Sequence, residues 1–141
     1  MRRMNAEQAR AFLLVGTRTA QVATVRADGR PHVVPVWFDL DGEDVIFTAG
    51  HDTVKARNIA RDARVSLCVD DPTPPFAYVM IEGRATLSDD QEALLHWATR
   101  IGGRYMGADQ AEAFGRRNAV PGELLVRLTP THVIALSHMS D

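Results

Sequence analysis

Short stretches of alternating apolar and polar residues, separated by turn signals, occupy most of the chain. Alternation with a period of two is typical of half-buried β-strands, because successive side chains point to opposite faces. The pattern predicts seven strands, at residues 19–25, 31–38, 45–48, 64–69, 78–87, 124–128 and 132–136. Asp28-Gly29 and Asp41-Gly42 are hairpin-turn dipeptides between the first three strands. These three strands are therefore expected to form an antiparallel meander.

Helical periodicity is confined to four segments. Residues 5–16 begin with Asn5 and Gln8 at the spacing of a capping box. A second short helix is predicted from Asp52 or Thr53, either of which can cap it, to about residue 62. A third is predicted from Ser88 or Asp89 to about residue 105, with Gly102-Gly103 as its expected end, and a weaker fourth covers residues 109–117. The third helix has an apolar stripe of Ala93, Leu94, Trp97, Ala98 and Ile101.

Seven strands and four helices without a repeat or a linker predict one domain over residues 1–141. The fold class predicted is mainly β, a β-barrel with helices packed outside it. Pro31 and Pro35 fit such a sheet at an edge, a strand start or a bulge, because proline cannot donate to a strand ladder. Gly83 is a candidate bulge or close-approach point inside its strand.

Composition narrows the class of protein. The chain has 141 residues, with sixteen Lys and Arg against eighteen Asp and Glu, which gives a formal charge of −2. This near-balance argues against a protein that mainly binds nucleic acid or an anionic membrane. Cys68 is the single cysteine, so neither an internal disulfide nor a multi-cysteine metal site can form. No apolar run approaches the length of a transmembrane helix, and a cytoplasmic location is expected.

Several catalytic signatures are missing from the sequence. It contains no G-x-S-x-G, no H-E-x-x-H, no phosphate loop and no Rossmann fingerprint. None of the five histidines forms an i,i+4 pair, so no local metal site is predicted. Cys68 lies in an apolar alternation, which favours a small buried hydrophobic residue over a nucleophile.

The segment from Thr48 to Asn58 is chemically distinctive. A strand ends at Thr48, a turn follows, and a helix begins near Thr53. Free N–H groups at a helix start favour an anion, and the hydroxyls of Thr48 and Thr53 with the cations Lys55 and Arg57 would add to this preference. The sequence thus indicates a phosphate pocket at a strand-to-helix corner. The alternative is a surface helix whose polar residues meet only water.

A second candidate is the aromatic strand Val33–Phe38. An aromatic pair beside a proline-interrupted strand could form the wall on which a flat ring system stacks. The alternative is ordinary core. Alternation places Trp37 and Phe38 on opposite faces, so at most one of them faces a given pocket.

Together these segments resemble a known family. The order "DGRPHVVPVWF", "FTAG", "KARNIARDARVSLCVDD" and "YVMIEGRATL" is similar to the split β-barrel flavin and deazaflavin oxidoreductases, which include pyridoxamine 5'-phosphate oxidase. The match is strongest to the actinobacterial branch of F420-dependent enzymes, and "RYMG" through "ELLVRLTPTHV" extends it to residues 7–136. The resemblance implies a six- or seven-stranded antiparallel split barrel, and a homodimer with two cofactor sites at the subunit interface.

The resemblance also implies roles for individual residues. The phosphate and ribityl chain of the cofactor would be held by Thr48, Thr53, Lys55 and Asn58. The ring would be lined by Val34, Pro35, Val36, Trp37 and Phe38. Phe76 and Tyr78 would come from the partner subunit or from the far wall. Arg57 could reach a second anion, and Arg127, with Arg57 and Arg61, could form a basic rim that favours coenzyme F420 over FMN.

The expected function is hydride transfer between coenzyme F420 and a small planar unsaturated substrate. One alternative is an FMN-binding oxidoreductase of the same barrel, and another is a carrier that holds a flavin, a deazaflavin or haem without turnover. Near Arg127 the chain lacks the arginine-rich strand that grips substrate phosphate in pyridoxamine-phosphate oxidases, so vitamin B6 oxidation is not expected. His32 or His51 could protonate product, although an ordinary surface position is the simpler interpretation of each.

Overall fold

A computed structural model describes every residue from Met1 to Asp141, and an antiparallel sheet of eight strands forms its centre. The strands are β1 (Arg2–Arg3), β2 (Ala20–Val25), β3 (Pro31–Val36), β4 (Asp39–Asp41), β5 (Asp44–Gly50), β6 (Arg64–Asp71), β7 (Ala77–Ser88) and β8 (Glu123–Ser137). The helices are α1 (Ala6–Leu13), α2 (Val54–Arg61), α3 (Gln91–Met106) and α4 (Ala111–Asn118), with a 3-10 turn at Ala108–Gln110. No helix combines the length and the apolar character needed to cross a membrane.

The strands are ordered β3-β2-β6-β7-β8-β5-β4, and every pair is antiparallel. The sheet does not close, because its first and last strands do not pair with each other. The predicted split barrel is thereby confirmed, with β1 and β4 as two short strands that the pattern did not predict. The prolines Pro31 and Pro35 lie in β3, which is an edge strand, as their missing N–H groups require.

The long strand β8 corrects the prediction of two separate C-terminal strands. It runs unbroken over fifteen residues and changes partners along its length. Its first part pairs with β5 up to Leu128, and its end pairs with β1 at Leu136 and Ser137. Between these regions, residues 129–134 have a strand neighbour only in β7. The sequence shows a break at this point because Pro130 interrupts the alternation there.

A β-bulge lies beside that proline. Glu82 pairs with His132 and Gly83 with Pro130, so the extra residue of the bulge is Thr131 of β8, and the irregularity in register falls at Gly83 as predicted. A Cβ atom at Gly83 would lie 2.1 Å from the carbonyl oxygen of Thr129. Glycine is therefore required here by the close approach of two backbones.

Two further boundaries differ from the prediction. Strand β3 ends at Val36 rather than at residue 38, because the chain turns through Trp37 and Phe38 before β4. Helix α3 starts after the cap Asp90 and continues through Gly102 and Gly103 to Met106. A Cβ at Gly102 would be 2.5 Å from that of Phe114, so this glycine serves the packing of α4 rather than ending α3.

Two apolar clusters hold the chain together. The larger one fills the concave side of the sheet around Phe38 and Phe47, both fully buried. The smaller one joins Leu94 of α3 to Ile46 and Leu125 on the opposite face of β5 and β8. Side chains two residues apart on a strand share a face. Thr48 is therefore on the same face of β5 as Ile46, which is the face that α3 covers.

Candidate functional site

A cavity of about 220 Å³ lies where the end of β3, the strand β5 and the helices α2 and α3 meet. It brings together five of the residues that the sequence predicted: Pro35, Val36, Trp37, Thr48 and Lys55. Three further residues complete the lining, namely Ala98 and Ile101 of α3 and Asn118 of α4. The aromatic segment and the strand-to-helix corner thus border one cavity.

The cationic side of the cavity is Lys55 in the first turn of α2. All seven salt bridges of the chain involve arginine, so the Lys55 ammonium takes part in none. The cap Thr53 has its hydroxyl engaged, because this group donates to the carbonyl of Gly50 at 2.8 Å and accepts from the N–H of Ala56 at 3.3 Å. The other side-chain donors that border the cavity are the Thr48 hydroxyl, the Asn118 amide and the Trp37 indole N–H.

The aromatic side of the cavity is Trp37, which is 37% exposed. Its indole stacks on the ring of Tyr105 with centroids 5.0 Å apart and planes 2° apart, and the tilted ring of Phe114 lies 6.1 Å away. Tyr105 is anchored, because its hydroxyl donates to the carbonyl of Arg18 at 2.7 Å and accepts from the N–H of Phe38 at 3.3 Å. Burial raises the pKa of this phenol, so it stays protonated at neutral pH.

Three residues that the sequence assigned to the cofactor do not line the cavity. Phe38 is fully buried, which confirms that it and Trp37 have opposite orientations. Val34 pairs with the buried Val22 and does not line the cavity. Asn58 is 3% exposed, and its amide donates to the hydroxyl of Thr24 at 2.9 Å. Within one chain, Asn58 therefore joins α2 to β2.

Phe76 and Tyr78 do not line the cavity. Tyr78 lies in β7, where it pairs with Asp70 of β6 and with Leu136 of β8. The assignment of Phe76 and Tyr78 to a partner's site or to the far wall stays a prediction.

The three arginines of the expected basic rim differ in their contacts. Arg127 forms salt bridges with Asp41 at 2.9 Å and with Asp44 at 3.1 Å. Arg61 donates to the side-chain oxygen of Asn58 at 3.2 Å and to a carbonyl of β2. Arg57 of α2 is exposed and its side chain forms neither a salt bridge nor a hydrogen bond, whereas Arg61 forms no salt bridge but has its guanidinium hydrogen-bonded.

The two candidate histidines have different surroundings. His32 pairs with Thr24 in the sheet, its buried Nδ1 has no hydrogen-bond partner, and it does not line the cavity. His51 follows β5 directly, and its ring lies 3.0 Å from where a Cβ of Gly122 would be. Of the two, His51 is the one beside the corner that Lys55 occupies.

Glu123 is the residue at this corner that the sequence reasoning missed. It is the first residue of β8 and the pairing partner of Gly50. Burial raises the pKa of its carboxyl, and Asp52 acts in the same direction, whereas the Thr48 hydroxyl and the Lys55 charge oppose the rise. A lone glutamate before a strand gives no signal in the sequence, because only the β5–β8 pairing places it here.

A second and larger cavity, of about 920 Å³, lies between α1 and the residues of β7 and β8 near the opening of the barrel. Its lining is mainly apolar and includes Leu13, Val79 and Val133. It shares no residue with the cavity at Trp37 and contains none of the predicted site residues.

The residues of the Trp37 cavity fit a ring-bearing phosphate ester. An unpaired ammonium and a hydroxyl suit a phosphate group, and a fixed indole with aliphatic neighbours suits a flat ring. The volume is below the roughly 300–1,000 Å³ of typical ligand pockets, so one chain encloses only part of such a ligand.

Part of the sequence is similar to that of a curated reductase. Over 55 residues the chain is 46% identical to a 5a,11a-dehydrotetracycline/5a,11a-dehydrooxytetracycline reductase of Streptomyces rimosus, an alignment that covers 36% of this chain and 39% of that protein. The chain spans half or less of the length of the curated relatives it matches.

Solved structures agree with the fold. A conserved hypothetical protein from Mycobacterium tuberculosis superposes with a TM-score of 0.86 at 25% identity, covering 97% of this chain and 87% of that one. An F420 reductase superposes with a TM-score of 0.67 at 28% identity, covering 86% and 93%. The family model described as pyridoxamine 5'-phosphate oxidase matches residues 6–137. The chain therefore belongs to the pyridoxamine 5'-phosphate oxidase family, a family of split-barrel oxidoreductases.

Proposed function

We propose that this protein is an oxidoreductase that uses coenzyme F420 to transfer hydride to or from a small planar unsaturated substrate. The observation that carries the proposal is the single cavity in which the unpaired Lys55 ammonium faces the fixed Trp37 indole. A cofactor that carries both a phosphate and a flat ring needs a cation for the phosphate and an aromatic surface for the ring. The similarity to an F420 reductase and to a dehydrotetracycline reductase supports the same choice.

The residues of the chain would bind and orient the cofactor. When bound, the reduced deazaflavin supplies the hydride, so the protein contributes position and exclusion of water. Lys55 and Thr48 would hold the phosphate, and Val36 and Trp37 would contact the ring. Arg57 carries an uncommitted charge that could hold a carboxylate of the cofactor tail. His51 is the candidate to deliver a proton to product, since it lies beside Lys55 and is exposed to solvent.

FMN is the alternative cofactor, because it shares the phosphate that Lys55 would bind. The family model that matches the chain is named after pyridoxamine 5'-phosphate oxidase, and this keeps the flavin alternative open.

A carrier without turnover would bind the cofactor equally well. An assay of reduced cofactor with a panel of quinones, tetrapyrroles and other acceptors separates the two, since a carrier binds tightly and oxidises no cofactor.

A homodimer is proposed as the form that completes the site. The convex side of the sheet, opposite the larger core, presents an apolar row across neighbouring strands. In this row Cys68 pairs with Met80 and Met80 with Ile134, and none of the three is fully buried. Tyr78 lies on the same face one pair further along. A second copy packed there would cover the row and could bring its own Tyr78 to the cavity.

The first experiment is a titration of the purified protein with F420 and, separately, with FMN. A Trp97→Phe background assigns the intrinsic fluorescence to Trp37. The Lys55→Ala variant should lose roughly ten- to hundredfold in affinity, the equivalent of about 1.5–3 kcal/mol for a charge-assisted hydrogen bond. Arg30→Ala, at the exposed turn between β2 and β3, is the matched control for a lost positive charge.

The outcomes are distinct. Binding of F420 with loss in Lys55→Ala supports the proposal, and preference for FMN moves the protein to the flavin alternative. Affinity unchanged in Lys55→Ala removes this residue from the site, and binding of neither cofactor refutes the proposed function. Light scattering at micromolar protein tests the dimer, which a monomeric mass would contradict.

A further inference from the structure

Two carboxylates flank the corner at which the cofactor phosphate would bind. A Cβ on Gly50 would lie 3.3 Å from Asp52 Oδ1 and 3.8 Å from Glu123 Oε2. A side chain at Gly50 would crowd Asp52 and would leave Glu123 in ordinary contact, so both acids lie at the end of β5. An anion site normally excludes acids, because like charges at short range repel. Asp52 and Glu123 are therefore unexpected beside a site that is proposed to bind phosphate.

The position of Glu123 is fixed by its backbone. Its N–H donates to the carbonyl of Val120 at 3.0 Å, and the carbonyl of the preceding Gly122 accepts from His51 at 2.8 Å. The Thr48 hydroxyl and the Lys55 charge both act to lower the pKa of its carboxyl, so this carboxyl lies near two of the donors of the cavity. Only rotation within its own side chain could move it away from a ligand at those donors.

The charged groups that face Glu123 are few. Helix α2 contributes Lys55, and the turn after β5 contributes Asp52 and the titratable His51. With both acids ionised, one positive charge is outweighed by two negative ones. Such a corner accepts a singly charged phosphate more easily than a doubly charged one.

We propose that Glu123 determines which phosphate ester this corner binds, by disfavouring a phosphate monoester relative to a phosphodiester. The inference rests on the proposed function and extends it to the choice of cofactor. FMN is a monoester with a charge between −1.5 and −2 at neutral pH. The phosphate of F420 is a diester with a single charge. Repulsion from Glu123 is therefore about twice as large for FMN, and binding favours F420.

The test compares wild type with Glu123→Gln, which keeps the shape and removes the charge. At pH 8 and low salt, one unit of charge at about 5 Å changes affinity roughly fourfold in water-like surroundings. The variant should gain roughly fourfold for F420 and roughly 16-fold for FMN. Glu43→Gln in the exposed β4–β5 turn removes the same net charge and should change neither affinity.

Titration with pH supplies a second readout that does not depend on activity. Burial raises the pKa of Glu123, so lowering the pH from 8 to 5 favours its protonated form and weakens its repulsion. The ratio of Glu123→Gln to wild-type affinity should therefore fall for F420, whose diester keeps its single charge over this range, and should fall further for FMN, whose monoester also gains a proton. Asp52→Asn should act in the same direction with a smaller effect, because Asp52 is exposed.

Equal effects of Glu123→Gln on both cofactors, or no effect on either, would overturn this inference and leave the proposed function in place. If neither cofactor binds to wild type or to the variant, the proposed function itself fails and the inference fails with it. A gain for FMN that persists unchanged at pH 5 would also contradict the role of the Glu123 charge.

Discussion

The hydroxyl of Tyr105 links the aromatic wall of the site to the core, and its removal should have a measurable cost. This hydroxyl donates to the carbonyl of Arg18 at 2.7 Å and accepts from the N–H of Phe38 at 3.3 Å. A hydrogen bond contributes about 0.5–1.5 kcal/mol net to stability. The second bond is long, so the expected loss in Tyr105→Phe is about 1–2 kcal/mol. The stacking on Trp37 should survive, because the ring remains.

Chemical denaturation measures this loss through a shift of the midpoint at constant slope. Tyr78→Phe is the matched control, since the Tyr78 hydroxyl makes no hydrogen bond within the chain, and its cost should be below about 0.5 kcal/mol. Equal stability of the two variants would refute the view that the Tyr105 hydroxyl anchors the wall. A changed Trp37 emission in folded Tyr105→Phe would show that the hydroxyl, rather than the ring, holds the indole.

Two further predictions concern the fold. Gly83→Ala should lower the free energy of unfolding by about 2–3 kcal/mol or more, because the new Cβ would lie 2.1 Å from the carbonyl oxygen of Thr129. Gly103→Ala is the control and should be nearly neutral in thermal or chemical unfolding, because the nearest atom to its new Cβ is the Cβ of Ala111 at 3.1 Å. The hydrogen bond from the Arg64 side chain lowers the pKa of Asp62 to about 2. Because this folded-state pKa lies below the ordinary 3.8, the contribution to stability is present above pH 4 and is lost as pH falls through about 2. Carboxyl NMR should find this midpoint, and in Arg64→Ala it should return toward 3.8.

The order of strands and helices could be predicted because each follows a local pattern. The capping box of Asn5 and Gln8, the edge prolines and the irregular register at Gly83 all appear in the structure. Two of the errors have a common cause. Pro130 and Gly102 are signals that usually end an element, and tertiary packing overrides them when a neighbouring strand or helix needs the close approach.

The site was predictable only as far as it lies in two continuous segments. Thr48, Lys55 and Trp37 come from such segments, and the structure brings them to one cavity. Asn118 reaches it through the packing of α4, and Glu123 reaches the neighbouring corner through the β5–β8 register, which no local pattern encodes. Strand alternation predicted the opposite orientations of Trp37 and Phe38, but no pattern predicted that the Asn58 amide donates to the hydroxyl of Thr24.

The split in the barrel has a consequence for aggregation. Where β8 passes from β5 to β1, residues 129–134 expose a strand edge, and an exposed edge is a template for pairing with another chain. Pro130 offers no N–H there, and the bulge at the neighbouring Thr131 takes the edge out of regular register. The same residue that disturbs the sequence pattern thus protects the opening, so the barrel can remain split without recruiting a foreign strand.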